Sequence, residues 1–414
     1  MALPRFMDLS RFQAGAATTA RMGSVALGFS LPVSVALDNV LVALVLVAWA
    51  LAGRWRNTLH AARHNPVALS ALALFGLLAL GLLYGSRNPG DGLHYLGKYA
   101  DLLLFPFFII VFRDEAARRS ALTAFLAASG LILALSFAIS LGAPSYFPLF
   151  KGDAANPVVF KFHITHGFLM AFAAFLFARL GLESREPRRR MALLLLAALA
   201  AYNVLFMVQG KTGYVVLLAL LVYLFAHRGG WKGFAAGILL AAALGVSSYY
   251  FSDPFHARVS QAARAASGEL AQHEQEGSVT PRIEFLQNSL EIVREHPLFG
   301  VGTGGFPRAY AEHAAVSGVA PTVNPHNDYL QIAVQTGIAG FALLLHLFYR
   351  QWRLAARLPL SWDRSVARGL VLVTAMGGLF NSLLLDHTEG LFFAWMSGLV
   401  FAQLGPAQES ESAA

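Results

Sequence analysis

The 414-residue chain has no cysteine, which excludes a disulfide framework, thiolate catalysis and thiolate metal ligation. It is also poor in charge. Asp, Glu, Lys and Arg supply 13% of its residues, against about 25% in a soluble domain. Acidic side chains are the scarcer kind, 23 against 31 Lys and Arg. Before Arg21 there is no separate apolar core followed by a small-residue cleavage site, so no cleaved signal peptide is expected. What fills the chain instead is apolar: 57% of residues are hydrophobic and the mean hydropathy is +0.56. An all-α polytopic membrane protein is expected, because helices satisfy their backbone polar groups without help from water.

Apolar runs bounded by charge or by Gly and Pro fall at 22–37, 38–53, 66–84, 96–112, 120–142, 163–181, 191–209, 213–227, 233–251, 326–349, 365–385 and 390–405. Only Asp38-Asn39 separates the first two. Twelve crossings place both termini on one side. Sorting Lys and Arg by alternate connections then puts 21 on the side of the termini and 10 on the other, five of those in one long loop. Positive residues favour the cytoplasm and long loops weigh little in that rule. The reading is nine transmembrane helices over 1–251, an outer loop domain at 252–325, three more helices over 326–405 and a cytoplasmic tail at 406–414. The net charge of +8 invites a nucleic-acid reading, but its position argues against one. Runs such as Arg188-Arg189-Arg190 are topology determinants beside anionic lipid.

The outer loop reads as two helices and a turn-rich return. Pro254 to Gln272 has an amphipathic pattern carrying Arg258 and Arg264. Glu274-Gln275-Glu276-Gly277-Ser278 forms a polar break, expected to be the mobile tip. A second helix starts at Thr280-Pro281, presents Ile283, Leu286, Leu290 and Val293 on one face, and stops at His296-Pro297. Arg282 sits in its first turn, where the helix dipole disfavours a cation. An anionic ligand, Glu284 or a lipid phosphate would compensate it. Gly300-Val301-Gly302-Thr303-Gly304-Gly305 has dinucleotide-fingerprint spacing, but it lacks the strand before and the helix after. The glycines suit a tight return to the membrane, or a backbone-amide nest for an anion.

Ionisable residues collect at the expected outer rim. His326 stands at the mouth of an apolar helix beside Asn324, Asn327 and Asp328, and imidazole accepts a proton near neutral pH. Lys211 occupies the tight turn Gln209-Gly210-Lys211-Thr212-Gly213, where it can present a fixed cation or snorkel to headgroups. Asp386-His387-Thr388-Glu389 marks the last outer turn. Lys161, His163 and His166 begin the sixth run without the carboxylates of a metal site. Lys98 and Asp101, three apart, suit a mutual ion pair or an outer basic cluster.

Four stretches together carry a resemblance. They are Arg282 with its helix, Glu295-His296-Pro297-Leu298-Phe299-Gly300-Val301-Gly302, Pro325-His326-Asn327-Asp328-Tyr329-Leu330, and Gly337-Ile338-Ala339-Gly340. With twelve spans and a long loop before the His-bearing helix, the chain resembles the bacterial O-antigen ligases, within the ligase and polymerase superfamily of polyprenyl-linked glycan enzymes. The resemblance implies a GT-C-like glycosyltransferase of the bacterial inner membrane with a periplasmic active site. Its substrates would be an undecaprenyl-pyrophosphate-linked glycan donor and a lipid A–core oligosaccharide acceptor. It implies catalytic roles for His326, Arg282 and Asp386 and donor binding at Lys211, where the family often carries Arg. Asn327, Asp328, Lys98 and Lys161 are the further substrate-binding candidates. Transfer is expected to be inverting, metal-independent and cofactor-free. An O-antigen polymerase or a protein O-oligosaccharyltransferase is the near alternative, and Arg294 with Gly305 matches an Arg-x10-Gly spacing of polymerases. A transporter is the distant one, disfavoured by span interiors that are nearly free of charge.

Overall fold

Lipid offers no hydrogen bonds, so the apolar runs close their backbone bonds within helices. The computed structural model describes residues 9–86, 88–143, 149–267, 280–317 and 321–404. Among these the chain forms α1 (Leu9–Ser30), α2 (Val35–Leu51), α3 (Trp55–His64), α4 (Pro66–Leu80), α5 (Pro89–Lys98), α6 (Phe105–Val111), α7 (Glu115–Ser140) and α8 (His163–Glu183). It continues with α9 (Pro187–Tyr202), α10 (Lys211–Phe251), α11 (Asp253–Ser267), α12 (Thr280–Glu295), α13 (Phe306–Ser317), α14 (Asp328–Ala355), α15 (Ser361–Gly377) and α16 (His387–Phe401). The described residues contain no strand. The polar break at Glu274–Ser278 and the tail at 406–414 lie outside them.

Among the described residues six helices are long and apolar enough to cross a membrane, and eight crossings result if each of two bent helix pairs counts as one. Several boundaries differ from those read in the sequence. The first break falls at Leu31-Pro32-Val33, where proline stops α1 and the Ser34 hydroxyl accepts the Leu37 amide to cap α2. Asp38 is therefore not a boundary residue but lies buried inside α2. The two expected runs at 213–227 and 233–251, by contrast, match two helical segments of α10 that meet at Gly230, whose φ of 55° breaks the helix between them. The expected run at 365–385 ends early, because α15 stops at Gly377 and residues 378–386 form a non-helical connection into α16.

The outer loop also differs in detail. Its return carries a third helix, α13, and its small core joins Ile292, Phe306, Tyr310, Ala314 and Val334. The buried face of α12 is accordingly set by Phe285, Ser289 and Ile292, while Leu286 and Leu290 are exposed. Aromatic partners on α13 rotate the helix away from the face that leucine spacing alone selected.

α16 lies at the centre, buried from Thr388 to Phe401. Its Phe392, Phe393 and Trp395 meet Phe105, Phe112, Phe125, Phe168 and Phe172 ring to ring. Between helices in lipid such packing acts through close contact rather than escape from water. This fixed core anchors the start of α16 and the connection that precedes it.

Candidate active site

The connection at 378–386 organises the site. A buried non-helical backbone needs partners for its polar groups, and α14 supplies them. The Asp328 carboxylate accepts the Leu383 and Leu384 amides at 3.1 and 3.0 Å, and the Asp328 amide donates to the Gly378 carbonyl at 2.8 Å. Asn327 caps α14 by accepting the Leu330 amide at 3.0 Å, and it donates through Nδ2 to the Leu379 carbonyl at 3.0 Å. The Ser382 hydroxyl donates to Asn324 Oδ1 at 2.7 Å, and the same Oδ1 accepts the His326 amide at 2.8 Å. Asn327 and Asp328, read from sequence as substrate contacts, thus hold the backbone together, with Asp328 fully enclosed.

This clamp has a consequence for His326. Its φ of 53° makes it the only described residue other than glycine in the left-handed region. That conformation costs roughly 1–2 kcal/mol for an L-residue, and such strain persists only where the surroundings impose it. The half-buried imidazole lies against Phe285, ring centroids 6.0 Å apart, and its nitrogens make no hydrogen bond to a described residue. Burial first, then the Arg282 charge, push its pKa down to about 4. At neutral pH the ring is uncharged and both nitrogens are free for a ligand.

The other side of the connection receives cations. Arg282 donates to the Phe380 carbonyl at 3.2 Å, not to Glu284. The Asn381 amide donates to the hydroxyl of Thr212, next to Lys211 at the start of α10. Arg258 of α11 reaches Gln209 Oε1 in the turn before Lys211, at 3.4 Å. Lys211, Arg258, Arg282 and His163 therefore lie within electrostatic reach of one another. Burial, then Arg258, hold the Arg282 guanidinium below its ordinary range. No carboxylate forms an ion pair with Arg258 or Arg282 among the described residues. Like charges gathered in a half-buried place attract anions.

Several sequence candidates lie elsewhere. Asp386 begins α16 without capping it. Its carboxyl reaches water from a crowded recess, so burial raises its pKa to about 6, opposed by the Lys98 charge. No hydrogen bond joins it to His326. Lys98 lies over the Tyr95 ring, 5.4 Å from its centroid, and forms no ion pair with Asp101. Lys161 is buried, donating to Thr388 Oγ1 at 3.0 Å and facing Asp38 Oδ2 at 3.5 Å. His166 is buried against Asn203 at 3.0 Å, whereas His163 joins the cations.

The glycine-rich turn resolves differently from an anion nest, because its amides are spent on protein. Gly337, at φ 66°, breaks α14 and frees carbonyls one turn earlier, so that Val301 N donates to Val334 O at 2.8 Å and Gly302 N to Gln335 O at 2.9 Å. Thr303 N donates to Gly81 O at 3.0 Å and Gly304 N to Gln335 Oε1 at 3.3 Å. A Cβ on Gly302 would stand 2.2 Å from the Gly85 Cα, so only glycine fits there. The segment is a plug that fixes the outer loop to α4 and α14. Among the described residues no group of three or more His, Asp or Glu is arranged to hold a metal ion.

Sequence reading missed Arg258 and His163 as members of the site. Arg258 has the spacing of any solvated residue on an amphipathic helix, and only tertiary packing brings it to Lys211. His163 had a usable signal, since it stands two residues from the apolar core of α8 with no acid nearby. No curated protein matches the chain. Residues 193–345 match the family model for O-antigen ligase. That stretch, 153 of the 414 residues, includes Lys211, Arg258, Arg282 and His326, and over it the chain is similar to the O-antigen ligase family.

Proposed function

We propose that this protein transfers a glycan from undecaprenyl pyrophosphate to a hydroxyl of lipid A–core oligosaccharide, at the periplasmic face of the bacterial inner membrane. The observation that carries the reading is a strained His326 beside Arg282, which bonds the 378–386 connection, with Lys211 and Arg258 within electrostatic reach of Arg282. In this reading twelve spans leave both termini cytoplasmic. The acceptor oxygen attacks the anomeric carbon, the bond to the pyrophosphate oxygen breaks, and His326 takes the hydroxyl proton. Glycosylated lipid A–core and undecaprenyl pyrophosphate are the products. One direct displacement inverts the anomeric centre. Arg282, Arg258 and Lys211 meet the charge that grows on the leaving pyrophosphate, where fixed cations in a partly dry site act strongly.

The cations also address an apparent weakness of the base. An imidazole with a pKa of about 4 is a poor proton acceptor. A bound pyrophosphate offsets Arg282, favours the imidazolium and raises the pKa, so the base strengthens when the donor is present. Asp386, with Lys98 beside it, is positioned to orient the acceptor, and no metal ion is needed to neutralise the donor.

The test supplies the purified protein with lipid-linked polymer and lipid A–core, and separately with lipid-linked single repeats. Transfer to lipid A–core with inversion, insensitive to chelator, is expected. Elongation of the single repeats would instead make it a polymerase. Retained configuration would overturn the single-displacement mechanism, and loss of activity on chelation would overturn metal independence.

A further inference from the structure

α14 starts at the site and leads away from it. Arg350 stands 22 residues after Asp328, beyond the break at Gly337. There the end of α14 and the neighbouring α15 enclose a cavity of about 480 Å³ whose lining includes Arg350, Arg353, Arg357 and Arg368. No Asp or Glu lines it. The Arg368 guanidinium lies 5.3 Å from the Trp352 ring centroid. The Nε atoms of Arg350 and Arg368 are buried and have no hydrogen-bond partner.

A topological signal explains arginines near this end of the bundle, and the α14 dipole favours one in its last turn. Neither explains four guanidiniums around one cavity without a counter-charge, two of them with buried, unsatisfied donors. Guanidinium forks match phosphate oxygens. The surface leading into the cavity selects the source of that phosphate. Leu345, Tyr349 and Trp352 recur at helical spacing on α14 and are exposed, forming an apolar stripe that ends at the arginines. A free phosphate has no use for such a stripe, whereas acyl chains do, and Tyr and Trp suit the headgroup level.

We propose that this cavity binds the phosphate headgroup of an anionic phospholipid, with its acyl chains along the Leu345–Tyr349–Trp352 stripe. The assignment does not depend on which glycan is transferred. It is tested with the full-length protein in phosphatidylcholine nanodiscs with and without phosphatidylglycerol, by native mass spectrometry of the retained lipid. Wild type is expected to retain phosphatidylglycerol. The exposed pair Arg353→Gln/Arg357→Gln should lose affinity roughly five-fold per charge, about 25-fold in all. The control Arg188→Gln/Arg189→Gln removes the same charge from an exposed run on α9 and should retain the lipid. Equal loss in both pairs would reduce the effect to general surface attraction and overturn the site. Displacement by inorganic phosphate would overturn the lipid assignment in favour of a free anion. Should the Gln pair fail to fold, Arg353→Lys/Arg357→Lys keeps charge but removes the forks. Partial loss is expected, and undiminished retention would overturn recognition by the guanidinium forks.

Discussion

Lys161 and His163 stand two residues apart, yet they belong to charge clusters of opposite design. Around Lys161 the ammonium meets Asp38 and Thr388 inside the bundle, and Asp38 accepts a further bond from Ser30 at 2.6 Å. Around His163 the neighbours are Lys211, Arg258 and Arg282, all of one sign and only half-buried. The first cluster pairs opposite charges inside the bundle, although Asp38 Oδ2 has no hydrogen-bond partner. The second gathers like charges, and an added anion would offset them. A buried salt bridge adds little net stability, whereas a cluster of like charges costs stability until an anion offsets it.

The largest expected effect comes from removing the imidazole that stands beside Arg282 of the second cluster. His326→Ala should reduce glycan transfer by roughly 10²–10⁴-fold, the range for loss of a general base, while the protein folds normally. Normal transfer to lipid A–core would remove His326 from that role. Next, Lys161→Met strands the Asp38 charge in the bundle and should destabilise the protein by about 3–5 kcal/mol, read from thermal or denaturant unfolding. Adding Asp38→Leu should recover most of that loss. If the single substitution instead stops transfer and leaves stability unchanged, the two clusters are not separate. Arg258→Gln should raise KM for the lipid-linked donor about ten-fold, the value of one charge-assisted hydrogen bond, and leave KM for the acceptor alone. An effect confined to the acceptor would detach Arg258 from the donor site. The smallest effect concerns backbone strain. His326→Gly should be inactive yet as stable as wild type or about 1 kcal/mol more so, because glycine accepts the φ of 53° without cost.

The two clusters also differ in how much of them the chain itself reveals. Arg282 and His326 were legible because each violates a local rule: a cation in a helix's first turn, and an imidazole at the edge of an apolar run. Asp38 violates a rule as well, being an acid within such a run, but punctuation by Asp38-Asn39 was the simpler reading until Pro32 proved to be the break. Arg258 violates nothing, and no local pattern could have singled it out. The helical character of the apolar runs followed from composition. The connection at 378–386 did not, because its Leu383 and Leu384 amides are held by Asp328, 55 and 56 residues earlier in the chain. Periodicity reports burial along one helix, whereas this turn exists through bonds between two.

The central claim is that the cations around His326 await a pyrophosphate, and the titration of that imidazole tests it most directly. Histidine-labelled protein is followed by NMR with His326→Gln for assignment, first alone and then with inorganic pyrophosphate. Without the anion, burial and Arg282 hold the ring neutral down to about pH 4. With it, the Arg282 charge is offset, the protonated form is favoured, and the midpoint should rise toward the ordinary 6.5. A midpoint unmoved by saturating pyrophosphate, in protein that still carries out transfer, would contradict the account.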